Sequence, residues 1–171
     1  MTKWNKYLPV ILLALCSVSW VACTQQRQPC LTPKIASLIM ETIHFKTDTS
    51  TVFVDTALPS GLFIPLTNIG IDSIKYPLGS TFTLSLSPDT TICQWRFTSD
   101  TLNAVAYYDT FTFYYQRKLQ FLSNACGYTD FYSIDSVHTT HHIVDSLHII
   151  NTSVTNNVNT KHLQVYIRHN F

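Results

Sequence analysis

Histidines supply the most suggestive chemistry in this sequence. Four of them fall within eleven residues: His138, His141, His142 and His148. Imidazoles at suitable separations bind zinc or copper. However, neighbouring residues on a strand point to opposite faces, so only a loop could bring adjacent histidines together. Thr139 and Thr140 favour an exposed hairpin tip at this place, and the sequence therefore predicts neither a metal site nor a cofactor.

Catalytic motifs are absent from the sequence. Glycine occurs only at positions 61, 70, 79 and 127, which excludes a nucleophile elbow, a P-loop and a dinucleotide-binding fingerprint. Acids such as Asp55 and Asp109 are scattered along the chain. We therefore predict no catalytic residues and a protein that is not an enzyme.

Tyrosines offer a second kind of binding chemistry. Two adjacent pairs stand out: Tyr107, Tyr108, Tyr114 and Tyr115. Exposed aromatic rings can form a platform for a sugar or a protein, although such residues more often fill a core. A metal- or glycan-binding function that uses the His138–His148 loop or surface tyrosines is therefore the alternative to a simple interaction module.

The N-terminus carries the features of an export signal. Lys3 and Lys6 precede an uncharged apolar run over residues 8–22, which predicts a signal peptide over residues 1–22. The run is shorter than the about 20 residues that a membrane span needs. Val21-Ala22-Cys23 is similar to a bacterial lipobox, in which the cysteine is acylated and becomes the new N-terminus. Cys16 fits less well, because bulky Leu15 stands where a small residue is needed.

Acylation of Cys23 would place the protein in the bacterial cell envelope, attached to the lipid bilayer. The residues after Cys23 lack an acidic run that resembles a surface-export signal, so we expect the periplasmic face of the outer membrane. Residues 23–33 are polar and contain two prolines, and we interpret them as a tether between the lipid and the folded part.

Export would place three further cysteines in an oxidising compartment, where a disulfide is expected; they are Cys30, Cys93 and Cys126. Strand alternation places Cys93 on one face with Trp95 and Phe97, which predicts a buried thiol. Cys30 ends the tether and Cys126 lies in a turn. We therefore predict a Cys30–Cys126 disulfide with Cys93 reduced.

Composition and patterning indicate the fold that must position these residues. Only 12% of the residues are charged and the formal net charge is +1, which argues against a nucleic-acid partner. Apolar and polar residues alternate in many short segments between turn signals. Strands are predicted over residues 35–45, 51–54, 71–76, 81–87, 92–98, 111–121, 128–135, 143–150 and 163–168.

Many short strands predict a single all-β domain over residues 34–171, an antiparallel β-sandwich that is immunoglobulin-like or similar. A small β-barrel is the alternative. The alternation that runs through Val165 and Ile167 to a terminal Phe171 also resembles the last strand of an outer-membrane barrel, but several of the predicted strands are too short to span a bilayer.

Several segments together resemble one known family. They are the lipobox cysteine with Cys30 and Pro33, Tyr76-Pro77-Leu78, the run from Asp109 to Tyr115, Ser123-Asn124-Ala125-Cys126-Gly127, and the run from His162 to Ile167. These segments resemble a bacterial lipoprotein family of unknown function with an Ala-Cys-Gly motif. The resemblance implies a β-rich, membrane-anchored, non-catalytic protein and supplies no functional residues. We predict a lipoprotein that acts as a binding or assembly module for an unidentified envelope protein.

Overall fold

The computed structural model describes residues 29–45, 53–55, 61–70, 73–76, 80–99 and 108–167. The chain separates into two units, Met1–Cys30 and Leu31–Phe171, and the architecture below is that of the second unit. The predicted signal peptide, Cys23 and Tyr107 lie outside the described residues. In the part of the chain that the structure describes, no helix is long and apolar enough to cross a membrane.

The described residues form eleven strands and no helix, which confirms the predicted all-β fold class. In chain order they are β1 (Ser37–Phe45), β2 (Phe53–Asp55), β3 (Gly61–Pro65), β4 (Ile74–Tyr76), β5 (Thr81–Ser85), β6 (Ile92–Ser99), β7 (Tyr108–Ser123), β8 (Gly127–Thr139), β9 (Val144–Ile149), β10 (Ser153–Val154) and β11 (Leu163–Ile167). Two were not predicted. They are β3 and β10, of which β10 is too short to show alternation.

Two sheets contain these strands. The first has the order β2-β1-β11-β9, with β5 also paired to β1, and the second has the order β10-β8-β7-β6-β3-β4. One pair departs from the predicted antiparallel pattern, because β1 and β11 run parallel from Met40 opposite Leu163 to His44 opposite Ile167. Parallel neighbours need a long connection, and here almost the whole domain connects the first strand to the last.

Side chains from both sheets form one buried cluster. The largest fully buried members are aromatic residues, all of the second sheet except Phe82 of β5, and they pack with aliphatic residues of the first. Trp95 donates its indole N–H to the carbonyl of Ser85 at 3.1 Å, so its polar atom is satisfied inside the core. Cys93 is fully buried and free, as predicted from its place on the face shared with Trp95 and Phe97.

A buried tyrosine holds the loop after β5 against β7. The hydroxyl of Tyr115 accepts a hydrogen bond from the Ser87 N–H at 3.0 Å and donates one to the Ser87 carbonyl at 2.9 Å. Ser87 is completely buried, so the phenol supplies partners that water cannot reach. Burial raises the pKa of Tyr115, which keeps the hydroxyl neutral and able to donate.

A buried histidine links the two sheets. Nδ1 of His162 accepts a hydrogen bond from the N–H of Ile39 in β1 at 3.0 Å. Nε2 lies 3.2 Å from the carbonyl oxygen of Ser153 in β10 and therefore carries the proton. The imidazole is thus neutral, and burial lowers the pKa of His162. The structure thus makes this residue a bridge between the sheets.

Candidate functional site

The buried carboxylate of Asp109 organises the end of the second sheet at which β7 begins. Asp109 is completely inaccessible to solvent. Its Oδ2 accepts hydrogen bonds from the backbone N–H groups of Ile143 and Val144, each at 2.7 Å. Its Oδ1 accepts from the Thr140 hydroxyl at 2.7 Å and from the His142 backbone N–H at 2.8 Å. We call these five residues the Asp109 corner.

The surroundings of Asp109 favour its ionised form. Burial by itself would raise the pKa of Asp109, since it penalises the charged state. The hydrogen bonds from the His142 amide, the Thr140 hydroxyl and the Val144 and Ile143 amides outweigh that effect, and the pKa of Asp109 is lowered. The corner therefore holds an anion whose charge is spread over backbone donors, and it fixes the loop between β8 and β9.

This loop carries His142 to an exposed position beside two other side chains. Nδ1 of His142 lies 3.2 Å from Asp109 Oδ1, and its ring centroid lies 6.3 Å from that of Tyr108. The guanidinium carbon of Arg96 lies 4.9 Å from the centroid of the Tyr108 ring, which is a cation–π geometry. Tyr108 remains 49% exposed. We call these three side chains the Arg96–Tyr108–His142 platform.

The platform has the composition of a recognition surface. Arginine and tyrosine are enriched among the residues that carry binding energy at protein interfaces. In addition, the buried Nε of Arg96 has no hydrogen-bond partner among the described residues. The platform therefore presents a cation from β6, an aromatic ring from β7 and an imidazole from the loop that the Asp109 corner holds in place.

The histidines of the predicted loop do not converge. His138 packs edge-on against Tyr114 at 5.6 Å, Nδ1 of His141 lies 3.3 Å from the Val144 carbonyl oxygen, and His148 lies exposed on β9. No group of three or more metal-ligating side chains occurs among the residues that the structure describes. The predicted hairpin tip is wrong in one respect, because β8 and β9 belong to different sheets and the loop passes between them.

The predicted tyrosine platform is divided by strand alternation. Tyr108 and Tyr114 are exposed on the outer face of β7, whereas Tyr115 is buried in the core. A regular strand turns successive side chains to opposite faces, so adjacent tyrosines cannot share one surface. Tyr108 lies beside Arg96 and His142, which were not grouped with it in the sequence.

The far ends of β7 and β8 form a second exposed feature. We call residues 117–131 the hairpin end. Phe121 lies directly opposite Tyr128 and Leu119 lies opposite Asp130, so these four side chains share one face. Leu119, Phe121 and Tyr128 are between 46% and 63% exposed, and the rings of Phe121 and Tyr128 are 5.2 Å apart. An Arg117–Asp130 ion pair at 2.7 Å borders this face.

The segment that enters the domain is held beside the hairpin end. The carbonyl of Lys34 accepts a hydrogen bond from the Thr129 hydroxyl, and the carbonyl of Pro33 accepts one from the Asn156 side chain at 3.0 Å. Cys30 and Cys126 are each disulfide-bonded. The pairing of these two cysteines with each other stays a prediction.

Comparison with known proteins identifies the family. A family of unknown function, DUF6452, matches residues 64–167. The chain belongs to this family. The DUF6452 match extends from within β3 to the end of β11 and so includes the Asp109 corner, the platform and the hairpin end. The predicted membership of a family of unknown function is confirmed. No curated protein and no solved structure has significant similarity to the chain.

Proposed function

We propose that this DUF6452 member is a lipid-anchored, non-catalytic binding module of the bacterial cell envelope. Cys23 carries the acyl chains, and the periplasmic leaflet of the outer membrane holds the anchor. The domain presents the Arg96–Tyr108–His142 platform to an envelope protein. This proposal keeps the predicted lipobox, tether and Ala-Cys-Gly motif and adds a specific contact surface.

The way the platform is built carries the proposal. Asp109 has no access to solvent, yet it accepts hydrogen bonds from three consecutive backbone amides and one hydroxyl. This arrangement fixes the backbone that places His142 beside Tyr108. Surfaces whose side chains are already ordered lose less conformational entropy on binding, so a held platform is well suited to recognition.

The position of the platform relative to the tether supports the same proposal. The entering segment contacts Thr129 near the hairpin end, whereas Tyr108 begins β7 at the other end of the same hairpin. At about 3.3 Å per residue, Tyr108 lies roughly 40 Å along the strand from Phe121. A lipid anchor on the tether would therefore leave the platform directed away from the bilayer.

A disulfide between Cys30 and Cys126 is part of this proposal. Cys126 lies in the turn between β7 and β8. The bond would hold the tether at the hairpin end rather than letting it swing, and thus fix which end of the domain lies near the anchor. Closing a loop of almost a hundred residues would contribute up to about 4–5 kcal/mol to stability in the entropic model.

Site-specific photo-crosslinking in cells tests the platform. A benzophenone amino acid at position 108 should form one defined protein adduct in the envelope fraction. The same probe at position 128, on the hairpin end, is the matched control and should not form that adduct. Arg96→Gln removes the cation–π contact and the charge, and should reduce the adduct by a loss of affinity of roughly tenfold, as expected for a central interface residue.

Two results would contradict the proposal. A protein adduct at position 128 and not at 108 would move the interface to the opposite end of the domain. An adduct at 108 that Arg96→Gln leaves unchanged would show that the platform does not carry the interaction.

Glycan binding is the second candidate function, and one observation favours it. The exposed ring of Tyr108 is flanked by a guanidinium and an imidazole, an arrangement that could stack on a sugar and hydrogen-bond its hydroxyl groups. Retardation of the protein in gels that contain envelope polysaccharide, lost in Tyr108→Ala, would favour this function over a protein partner.

A further inference from the structure

The hairpin end carries an apolar face that no described part of the domain covers. Leu119, Phe121 and Tyr128 lie beyond the buried part of β7 and β8 but continue the face that points to the core nearer their other ends. Along β7, the positions that face inward change from the buried Phe113 and Tyr115 to the exposed Leu119 and Phe121. Contiguous exposed apolar side chains on a soluble domain commonly mark an interaction site.

The length of the tether limits what this face can meet. Lys34, whose carbonyl contacts Thr129 on β8, lies eleven positions after Cys23. At about 3.3–3.6 Å per residue, a fully extended tether spans at most about 40 Å, and a relaxed one spans far less. An acylated Cys23 would therefore keep the hairpin end, rather than the platform, within reach of the bilayer surface.

The chemistry of the hairpin end agrees with a lipid surface. Tyrosine is suited to a membrane interface, where its ring meets acyl chains and its hydroxyl meets water. Arg117 is paired with Asp130, while Lys34 and Lys118 are exposed at the same end of the domain. Exposed lysines near an apolar face attract anionic lipid headgroups.

We infer that the hairpin end is a second membrane contact, which lies in the headgroup region through Leu119, Phe121 and Tyr128. The inference rests on the proposed lipid anchor at Cys23. The acyl chains hold the protein on the bilayer, and the hairpin end sets its orientation. The domain then stands on the membrane with β7 and β8 directed outward and the platform at the distal end.

Quenching by brominated lipids tests this orientation. The mature protein is purified with its native acylation and reconstituted in phosphatidylethanolamine–phosphatidylglycerol vesicles that carry brominated acyl chains. A Tyr128→Trp variant should be quenched roughly twofold more than a Tyr108→Trp variant, which places the same probe at the opposite end of the β7–β8 hairpin. Trp95 is fully buried and contributes the same background to both. Leu119→Trp repeats the test on the same face if Tyr128→Trp does not fold.

Recovery of the protein with the vesicles separates the two proposals. Vesicle-bound protein with preferential quenching at 128 supports the inference. Vesicle-bound protein with equal quenching at both positions, or with more at 108, overturns the inference and leaves the anchor intact. A probe at 128 that is shielded from both brominated lipid and aqueous iodide would show that a protein covers the face, which also overturns it. Failure of the protein to bind vesicles removes the anchor and the inference together.

Discussion

Asp109→Asn is expected to destabilise the domain more than any other single-atom change in the candidate site. Both carboxylate oxygens face N–H or O–H donors, so either orientation of the amide turns its NH2 group toward donors. Leaving buried backbone donors without acceptors costs about 1–3 kcal/mol each, so we expect a loss of about 3 kcal/mol or more. Urea unfolding followed by the fluorescence of the buried Trp95 measures it.

Asp135→Asn is the matched control for this variant. Asp135 is exposed and accepts hydrogen bonds only from the Gln116 side chain among the contacts observed, so its substitution should change the stability by less than about 0.5 kcal/mol. An Asp109→Asn protein as stable as this control would show that the corner does not depend on its anion, and the proposed ordering of His142 would lose its basis.

Acid unfolding adds a second readout for Asp109. Since its pKa in the folded protein is lowered, its contribution to stability is fully present above the unfolded-state value of about 3.9. The contribution is lost as the pH falls through the lower folded-state pKa. The free energy of unfolding should therefore depend less on pH below about 4 in Asp109→Asn than in the wild-type protein.

The second large effect is expected from His162. Burial lowers its pKa below the about 6.5 of an exposed histidine, so below that pH the unfolded chain takes up a proton that the folded protein does not. The contribution of His162 to the free energy of unfolding should therefore be constant above about pH 6.5. Below that pH it should fall by at most about 1.4 kcal/mol per pH unit. Protonation of Nδ1 would also break the hydrogen bond from the Ile39 N–H.

His162→Gln should remove this pH dependence. It should also lower the stability at pH 7.5 by about 1–3 kcal/mol, since the Ile39 N–H and the Ser153 carbonyl lose well-placed hydrogen-bond partners. His148→Gln, at an exposed position of β9, is the control for substitution of a histidine and should change the stability at pH 7.5 by less than about 0.5 kcal/mol. The midpoints of urea unfolding, measured from pH 7.5 to 5.0, test both expectations. A pH profile of His162→Gln identical to that of the wild-type protein would contradict the role assigned to the buried imidazole.

Strands were predictable because half-buried strands impose a period of two on side chains. The alternation around Phe82 and Leu84, and that around Cys93, Trp95 and Phe97, placed β5 and β6 and their buried faces correctly. The same alternation also applies to Asp109. Asp109 has the same parity as Phe111, Phe113 and Tyr115, so its burial could have been predicted from the pattern of β7.

Other features depend on contacts that local patterns do not encode. Apolar and polar residues alternate in the same way in parallel and antiparallel strands, so the parallel pairing of β1 with β11 could not be predicted from the local sequence. His162 meets Ile39 across 123 positions of sequence, and the platform joins Arg96 of β6 to a loop between the two sheets. The hairpin end was predicted as strand, but its exposure depends on where the first sheet ends.

Incorporation of radiolabelled palmitate tests the proposed lipid anchor most directly. We expect label in the wild-type protein and in Cys16→Ala, the matched control, but none in Cys23→Ala. The Cys23→Ala protein should also leave the membrane fraction on washing, because a single hairpin contact is too weak to hold the domain without acyl chains. Equal labelling of Cys23→Ala and wild-type protein would contradict the account.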